Sequence, residues 1–168
     1  LILAGECFQD ESPLSLYERK GIGFVENLNG LFSGLLIDKG KQKVFLFNDR
    51  YGVERLYWAE DRDRFFFASE AKAILRVRPE CRSFDDEGVA QLLNFGTTAE
   101  ERTLFRDVSM MPGGSLWTFE RGKVLRKERY FDPKTWEAQS PLSEEQFTHE
   151  FQETFRRILP RYFSSRQK

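Results

Sequence analysis

Two successive segments, residues 31–37 and 43–48, carry unbroken apolar runs, Leu35-Leu36-Ile37 and Val44-Phe45-Leu46-Phe47, and are separated by the polar turn Asp38-Lys39-Gly40-Lys41. Side chains alternate between the two faces of a strand, so a strand with one wet face reads as alternating apolar and polar residues. Continuous apolar runs instead require cover on both faces. Packing layers are therefore needed on each side of this part of the chain. Two further short runs, 56–59 and 64–68, flank Glu60-Asp61-Arg62-Asp63, and together the four runs read as an antiparallel meander.

Residues 115–119 and 124–130 flank Glu120-Arg121-Gly122-Lys123, a second hairpin signal, because glycine supplies the positive φ of a tight turn. This hairpin is assigned to a second sheet. Helices are predicted at 14–20, at 70–76, and after a cap at Ser83 or Asp85, where Val89, Leu92 and Leu93 share one face. Near the end, Ser143-Glu144-Glu145-Gln146 has the capping-box form. Phe147, Phe151, Phe155, Ile158 and Leu159 then follow at helical spacing as one apolar stripe, which must pack on something. Residues 129–141 form a polar, Pro-bounded connection of the kind found between units.

At 168 residues the chain suits one domain able to bury roughly two-thirds of the surface its unfolded form exposes. With 40% apolar and 32% charged residues, a soluble globular protein is expected, and the 17 Phe supply most of the large apolar side chains. The 26 basic and 27 acidic side chains balance, which argues against a nucleic-acid footprint or a polybasic membrane anchor. Cys7 and Cys81 make neither a metal-binding pattern nor a disulfide framework, so a reducing cytoplasm is expected. His149, the sole histidine, has no partner with which to build a zinc site or a Ser/His/Asp triad and is read as a surface residue. No apolar run reaches membrane-spanning length. The opening on Leu1 rather than Met suggests that residues upstream have been removed.

Five stretches occur in a diagnostic order: Leu28-Asn29-Gly30-Leu31-Phe32; Asn48-Asp49-Arg50-Tyr51-Gly52 with Leu56-Tyr57; Phe67-Ala68-Ser69-Glu70 with Lys72-Ala73; Thr103-Leu104-Phe105-Arg106-Asp107-Val108; and Met111-Pro112-Gly113-Gly114. Each alone is an ordinary turn or strand end, but their order and spacing resemble the N-terminal, class II glutamine amidotransferase domain of the asparagine synthetase family, an N-terminal-nucleophile hydrolase. The match covers most of residues 14–133. The resemblance implies an α+β fold, a four-layer αββα sandwich of two antiparallel sheets. It also implies an amidotransferase-like domain over 1–133, a linker over 134–142, and an amphipathic helix over 143–168 leading into a synthetase (ATP-pyrophosphatase) domain.

In that family an N-terminal Cys attacks the side-chain amide of glutamine, with its own α-amine, of reference pKa about 8, as general base. No residue of this chain matches that nucleophile: Cys7 reads as a small buried hydrophobe. As given, the chain is expected to be unable to hydrolyse glutamine. The segment from Leu1 to Glu6 resembles the family's strand ending in Asn-Gly-Glu, whose Asn and Gly amide form the oxyanion hole and whose Glu receives the substrate's ammonium group. Gly5 and Glu6 match, whereas Ala4 stands at the Asn position. Losing a side-chain oxyanion donor costs roughly 10² to 10³ in rate. The resemblance aligns Asp10 with an aspartate that also meets the ammonium; its alternative role is a helix cap before Pro13.

The remaining motif residues are assigned structural roles. Asp49 and Arg50 suit a buried bidentate pair near the sheet edge, beside Gly52 in the turn. Ser69 and Glu70 suit a cap on the next helix, with Glu in its first turn. Arg55 replaces a Pro that the family usually carries, which puts turn rigidity in doubt.

Three functional readings follow. The first is a glutaminase unit that supplies ammonia to a downstream synthetase domain of the same chain. That domain would use ATP and Mg; no cofactor or metal is expected in this one, and the resemblance suggests a homodimer. The second is a catalytically silent structural domain, as in β-lactam-synthetase-like ligases, favoured by Ala4 and the short segment after Phe8. A stand-alone ligand-binding domain is disfavoured by the amphipathic C-terminal helix.

Overall fold

The computed structural model describes residues 1–163. Among the described residues, eight strands and four α-helices occur in the order β1 (Ile2–Cys7), α1 (Pro13–Lys20), β2 (Gly30–Asp38), β3 (Lys43–Asn48), β4 (Tyr57–Glu60), β5 (Phe65–Ala68), α2 (Ala71–Val77), α3 (Asp86–Phe95), β6 (Ser109–Met110), β7 (Ser115–Glu120), β8 (Lys123–Arg129) and α4 (Glu144–Phe163). All pairings are antiparallel, in a five-stranded sheet of order β1-β2-β3-β7-β8 and a three-stranded sheet of order β5-β4-β6.

This partition corrects the strand assignment made from sequence. The four early strands are not one meander: β2 and β3 belong to the larger sheet and β4 and β5 to the smaller, with residues 49–56 crossing between them. The 115–130 hairpin likewise does not found the second sheet, because β7 pairs with β3. Its turn is as expected, with Arg121 and Gly122 both at positive φ, 52° and 78°, the geometry that suits the twist of a two-residue hairpin loop.

The doubly covered reading of β2 and β3 holds. Phe45 and Phe47 of β3, with Phe32 and Leu36 of β2, face a cluster completed by Leu16, Tyr17, Phe24 and Leu28 from α1 and the 3-10 turn after it. The alternate residues Val44 and Leu46 join Leu35, Trp117 and Phe119 in a second cluster, which Trp58 and Phe65 enter from the smaller sheet. A third cluster lies between that sheet and α2, with Ala59, Ile74, Leu75, Cys81 and Val108. In the second cluster the rings of Trp58 and Trp117 meet edge to face at 5.2 Å, and Lys127 Nζ sits 3.7 Å above Trp58, a cation over the electron-rich face of an indole.

Several local assignments change. Helix α1 is capped by Ser12, which accepts from Ser15 N, so Asp10 is not the cap. Glu70 occupies the N-cap position of α2 rather than its first turn and makes no side-chain capping bond; it pairs instead with Lys72. Asp85 precedes α3 but its carboxylate takes Arg102 rather than a helix amide. On α3 the buried residue is Gly88, while Leu93 of the Val89, Leu92 and Leu93 stripe is 81% exposed.

Ser143 and Gln146 do close a reciprocal capping box at the start of α4. The stacked rings of Phe147, Phe151 and Phe155 nevertheless remain about half exposed, and Tyr162, near the end of the helix, packs its ring 4.5 Å from Phe8. Among the described residues no helix is long and apolar enough to cross a membrane.

Candidate functional site

Strand β1 lies at the edge of the larger sheet, with Ala4 opposite Ser33, Gly5 opposite Phe32 and Glu6 opposite Leu31. The bonding alternation fixes where its amides point. Phe8 N donates to Asn29 O at 2.7 Å, and on the far side of β2 Asp49 N donates to Phe32 O at 2.7 Å. Hydrogen-bonded pairs alternate with non-bonded ones along an antiparallel ladder, so Phe32 directs its backbone groups to β3, and Gly5 opposite it falls in a non-bonded pair. The Gly5 amide therefore faces the open edge of the sheet.

Gly5 has φ +90°, and a Cβ on it would lie 2.1 Å from Leu31 O and 3.0 Å from Glu54 Cγ. Only glycine fits, both for the dihedral and for the approach of these two neighbours. Glu6 is half-buried on the same strand, while Asp10 is exposed in the bend between β1 and α1. The structure thus sets Gly5 and Glu6 side by side, with Asp10 three residues beyond the strand. It adds Glu54, which the sequence reading passed over. No sequence signal marks that glutamate, since what brings it to Gly5 is the path of the crossing loop.

That path is set by Asp49, which is 1% exposed. Its Oδ1 accepts from Tyr51 N at 3.0 Å and Val53 N at 3.2 Å, and its Oδ2 accepts from Glu54 N at 3.0 Å. Three amide donors satisfy a buried carboxylate without a cation. The expected Asp49–Arg50 ion pair is accordingly not formed. Arg50 donates to Glu26 O and lies over the ring of Phe131. Asp49 thus captures the backbone of its own loop in place of a guanidinium. Gly52 closes the same turn, its amide donating to Asp49 O at 3.1 Å. Ser69 lies at the bend between β5 and α2.

Cys7 packs against the first core cluster but is only partly buried. Burial pushes its thiol above the ordinary value, opposed by a hydrogen bond with Gln9. A raised thiol is the opposite of what a nucleophile needs.

Residues 9–131 match the model of the glutamine amidotransferase domain family. The chain belongs to that family, as a class II amidotransferase domain related over part of its length to the N-terminal domains of asparagine synthetases. It is 47% identical over 71 residues to asparagine synthetase [glutamine-hydrolyzing] 2 of Bacillus subtilis (strain 168), a stretch that is 42% of this chain and 9% of that protein. Over 76 residues it is 37% identical to the human asparagine synthetase [glutamine-hydrolyzing], covering 44% of this chain and 14% of that one. Amidase chyE of Penicillium rubens is 31% identical over 110 residues, 63% of this chain and 15% of the amidase. The matched stretches are thus a small part of each relative. The family match begins after Gly5 and Glu6, so these two rest on their place in β1.

Proposed function

We propose that this domain is the glutamine-binding and ammonia-supplying unit of a longer, asparagine-synthetase-like amidotransferase working in the cytoplasm. Its sheets and helices are read as the four layers of an αββα sandwich, which the three successive core clusters support. Residues 1–133 form the unit, 134–142 a linker, and the helix from 143 leads into a synthetase unit that binds ATP and Mg. The half-exposed stripe of Phe147, Phe151 and Phe155 fits a helix whose cover is that unit.

The observation that carries the reading is the pairing of β1 with β2, which leaves Gly5 beside Glu6 in a non-bonded pair and so turns its amide to the open edge. In this role Gly5 N–H donates to the oxyanion that develops when a thiolate attacks the glutamine side-chain carbonyl. Glu6 and Asp10 hold the substrate's ammonium group. An oxyanion donor must be in place before the charge develops, a condition that a backbone amide at a sheet edge meets once its glycine is held in one conformation.

A second reading, a catalytically silent domain, is favoured by Ala4, which leaves the oxyanion one donor short. The two are separated by measuring glutamine-dependent glutamate release by the protein made from its complete reading frame, alongside ligation supported by free ammonia. Glutamate release supports the first reading. Ammonia-dependent ligation without glutamate release supports the second.

A further inference from the structure

We infer that Glu54 is a positioning residue for the glutamine site, its side-chain stem holding the Gly5 peptide in the conformation that keeps its N–H on the open edge. The inference rests on the proposed function and adds to it a residue from outside β1.

Glycine at positive φ has no side chain to hold it there and exchanges readily among several backbone basins. An oxyanion donor with that freedom would have to be ordered at each turnover, and small misplacements of a reacting or stabilising group are costly. Something next to Gly5 must therefore fix it. Leu31 O of the paired strand and the Cγ of Glu54 together close off the space into which a Gly5 side chain would point. The glutamate is itself held from behind, its amide bonded to Asp49 Oδ2 at 3.0 Å. Asp49 is in turn anchored by its own amide on Phe32 O and by Gly114 N on its carbonyl, both at 2.7 Å. A chain of fixed contacts thus runs from the centre of the sheet through Asp49 and Glu54 to Gly5. Two properties of Glu54 are separable: its methylene stem, which touches Gly5, and its charge. The clamp needs only the stem.

The test compares Glu54→Ala with Glu54→Gln in the full-length protein labelled with [15N]glycine. The three-bond amide–Hα coupling of Gly5, which reports φ, is recorded with and without added L-glutamine, together with glutamate release. Expected are a Gly5 amide resonance that responds to glutamine in the parent protein, and a coupling that moves toward the rotationally averaged range in Glu54→Ala but keeps its parent value in Glu54→Gln. A kcat lowered roughly tenfold with little change in KM is also expected in Glu54→Ala. An unchanged Gly5 coupling in Glu54→Ala, while glutamine still shifts the resonance, overturns the clamp and leaves the glutamine site standing. A parent Gly5 resonance that ignores glutamine overturns the glutamine site, and with it any positioning role for Glu54.

Discussion

Asn48 and Ser115, 67 residues apart in the chain, are joined by a buried hydrogen bond in which Ser115 N donates to Asn48 Oδ1 at 2.9 Å. The other half of the same carboxamide donates to Pro112 O at 2.9 Å. One side chain therefore matches an acceptor in the loop that leads into β7 and a donor at that strand's first residue, at the point where β3 ends and the chain leaves for the second sheet. Asn48→Ala would strand both groups away from water. Each costs about 1–3 kcal/mol when left unsatisfied, so a loss of about 3 kcal/mol is expected in urea denaturation. A loss of under about 1 kcal/mol would mean that the loop finds other partners.

Tyr130 closes the same junction from β8's far end, its hydroxyl donating to Asn48 O at 2.8 Å. Burial, chiefly, holds its phenol well above the ordinary range, with Arg50 acting in the opposite sense and Asp49 reinforcing the rise. The unfolded chain then gives up this proton first, at about pH 10. The stabilisation is thus complete below about pH 10 and drains away as pH climbs toward the folded value. Urea midpoints followed from pH 7 upward should fall steeply above pH 10 and less steeply in Tyr130→Phe. That variant should also lose about 1 kcal/mol at neutral pH with its hydrogen bond. Some alkaline slope should survive in it, because Tyr17 is likewise raised by burial and by its bond to Asp38. Parallel curves for the two proteins would remove Tyr130 from the account.

Gly113 is pressed against the crossing loop: a Cβ there would lie 2.5 Å from Tyr51 C and 2.7 Å from Gly52 N. Both neighbours are backbone, which cannot swing aside as a side chain would. Gly113→Ala should therefore cost about 1–3 kcal/mol. Gly23→Ala is the natural comparison, since nothing lies within 4 Å of its added methyl, and it should fall within about 0.5 kcal/mol of the parent. Equal thermal midpoints for the two variants would show that residues 51–52 and 113 can move apart freely.

Features encoded within a few residues were legible in the sequence. The capping box of Ser143 and Gln146 needs only local chain, and the apolar runs of β2 and β3 follow from strand periodicity and burial alone. Features that depend on where a loop travels were not. Asn48 and Asp49 stood out as a motif, but their partners are backbone amides and carbonyls, which every sequence supplies, so the guanidinium of Arg50 looked the better match. The same blindness misplaced β4 and the β7–β8 hairpin, because the three amides gathered by Asp49 turn the chain off the first sheet. On α3 the spacing of Val89, Leu92 and Leu93 announced an amphipathic helix without saying which side is covered. The close approach is made at Gly88, where a Cβ would lie 2.2 Å from Thr103 O. Gly5 and Glu6 were singled out by resemblance, whereas the contact of Gly5 with Glu54 had no signal, because it joins an edge strand to that same loop.

Ala4 carries the sharpest prediction for activity. It is exposed on β1 opposite the buried Ser33 and directly precedes the Gly5 amide, so a longer polar side chain there has room to extend without repacking the core. Ala4→Asn adds a carboxamide donor beside an amide donor that already faces the open edge. Removing one such donor from an oxyanion hole typically costs roughly 10² to 10³ in kcat, and its restoration should return a gain of that order in glutamate release, with KM for glutamine little changed. Ala4→Asp is nearly the same size but places an acceptor and a negative charge where the proposed function has negative charge develop, so it should give no gain. If both substitutions raised the rate alike, bulk at position 4 rather than hydrogen-bond donation would be responsible. If Ala4→Asn left a measurable parental rate unmoved, the developing oxyanion would not lie between residues 4 and 5, and the placement of the glutamine site on β1 would fall with it.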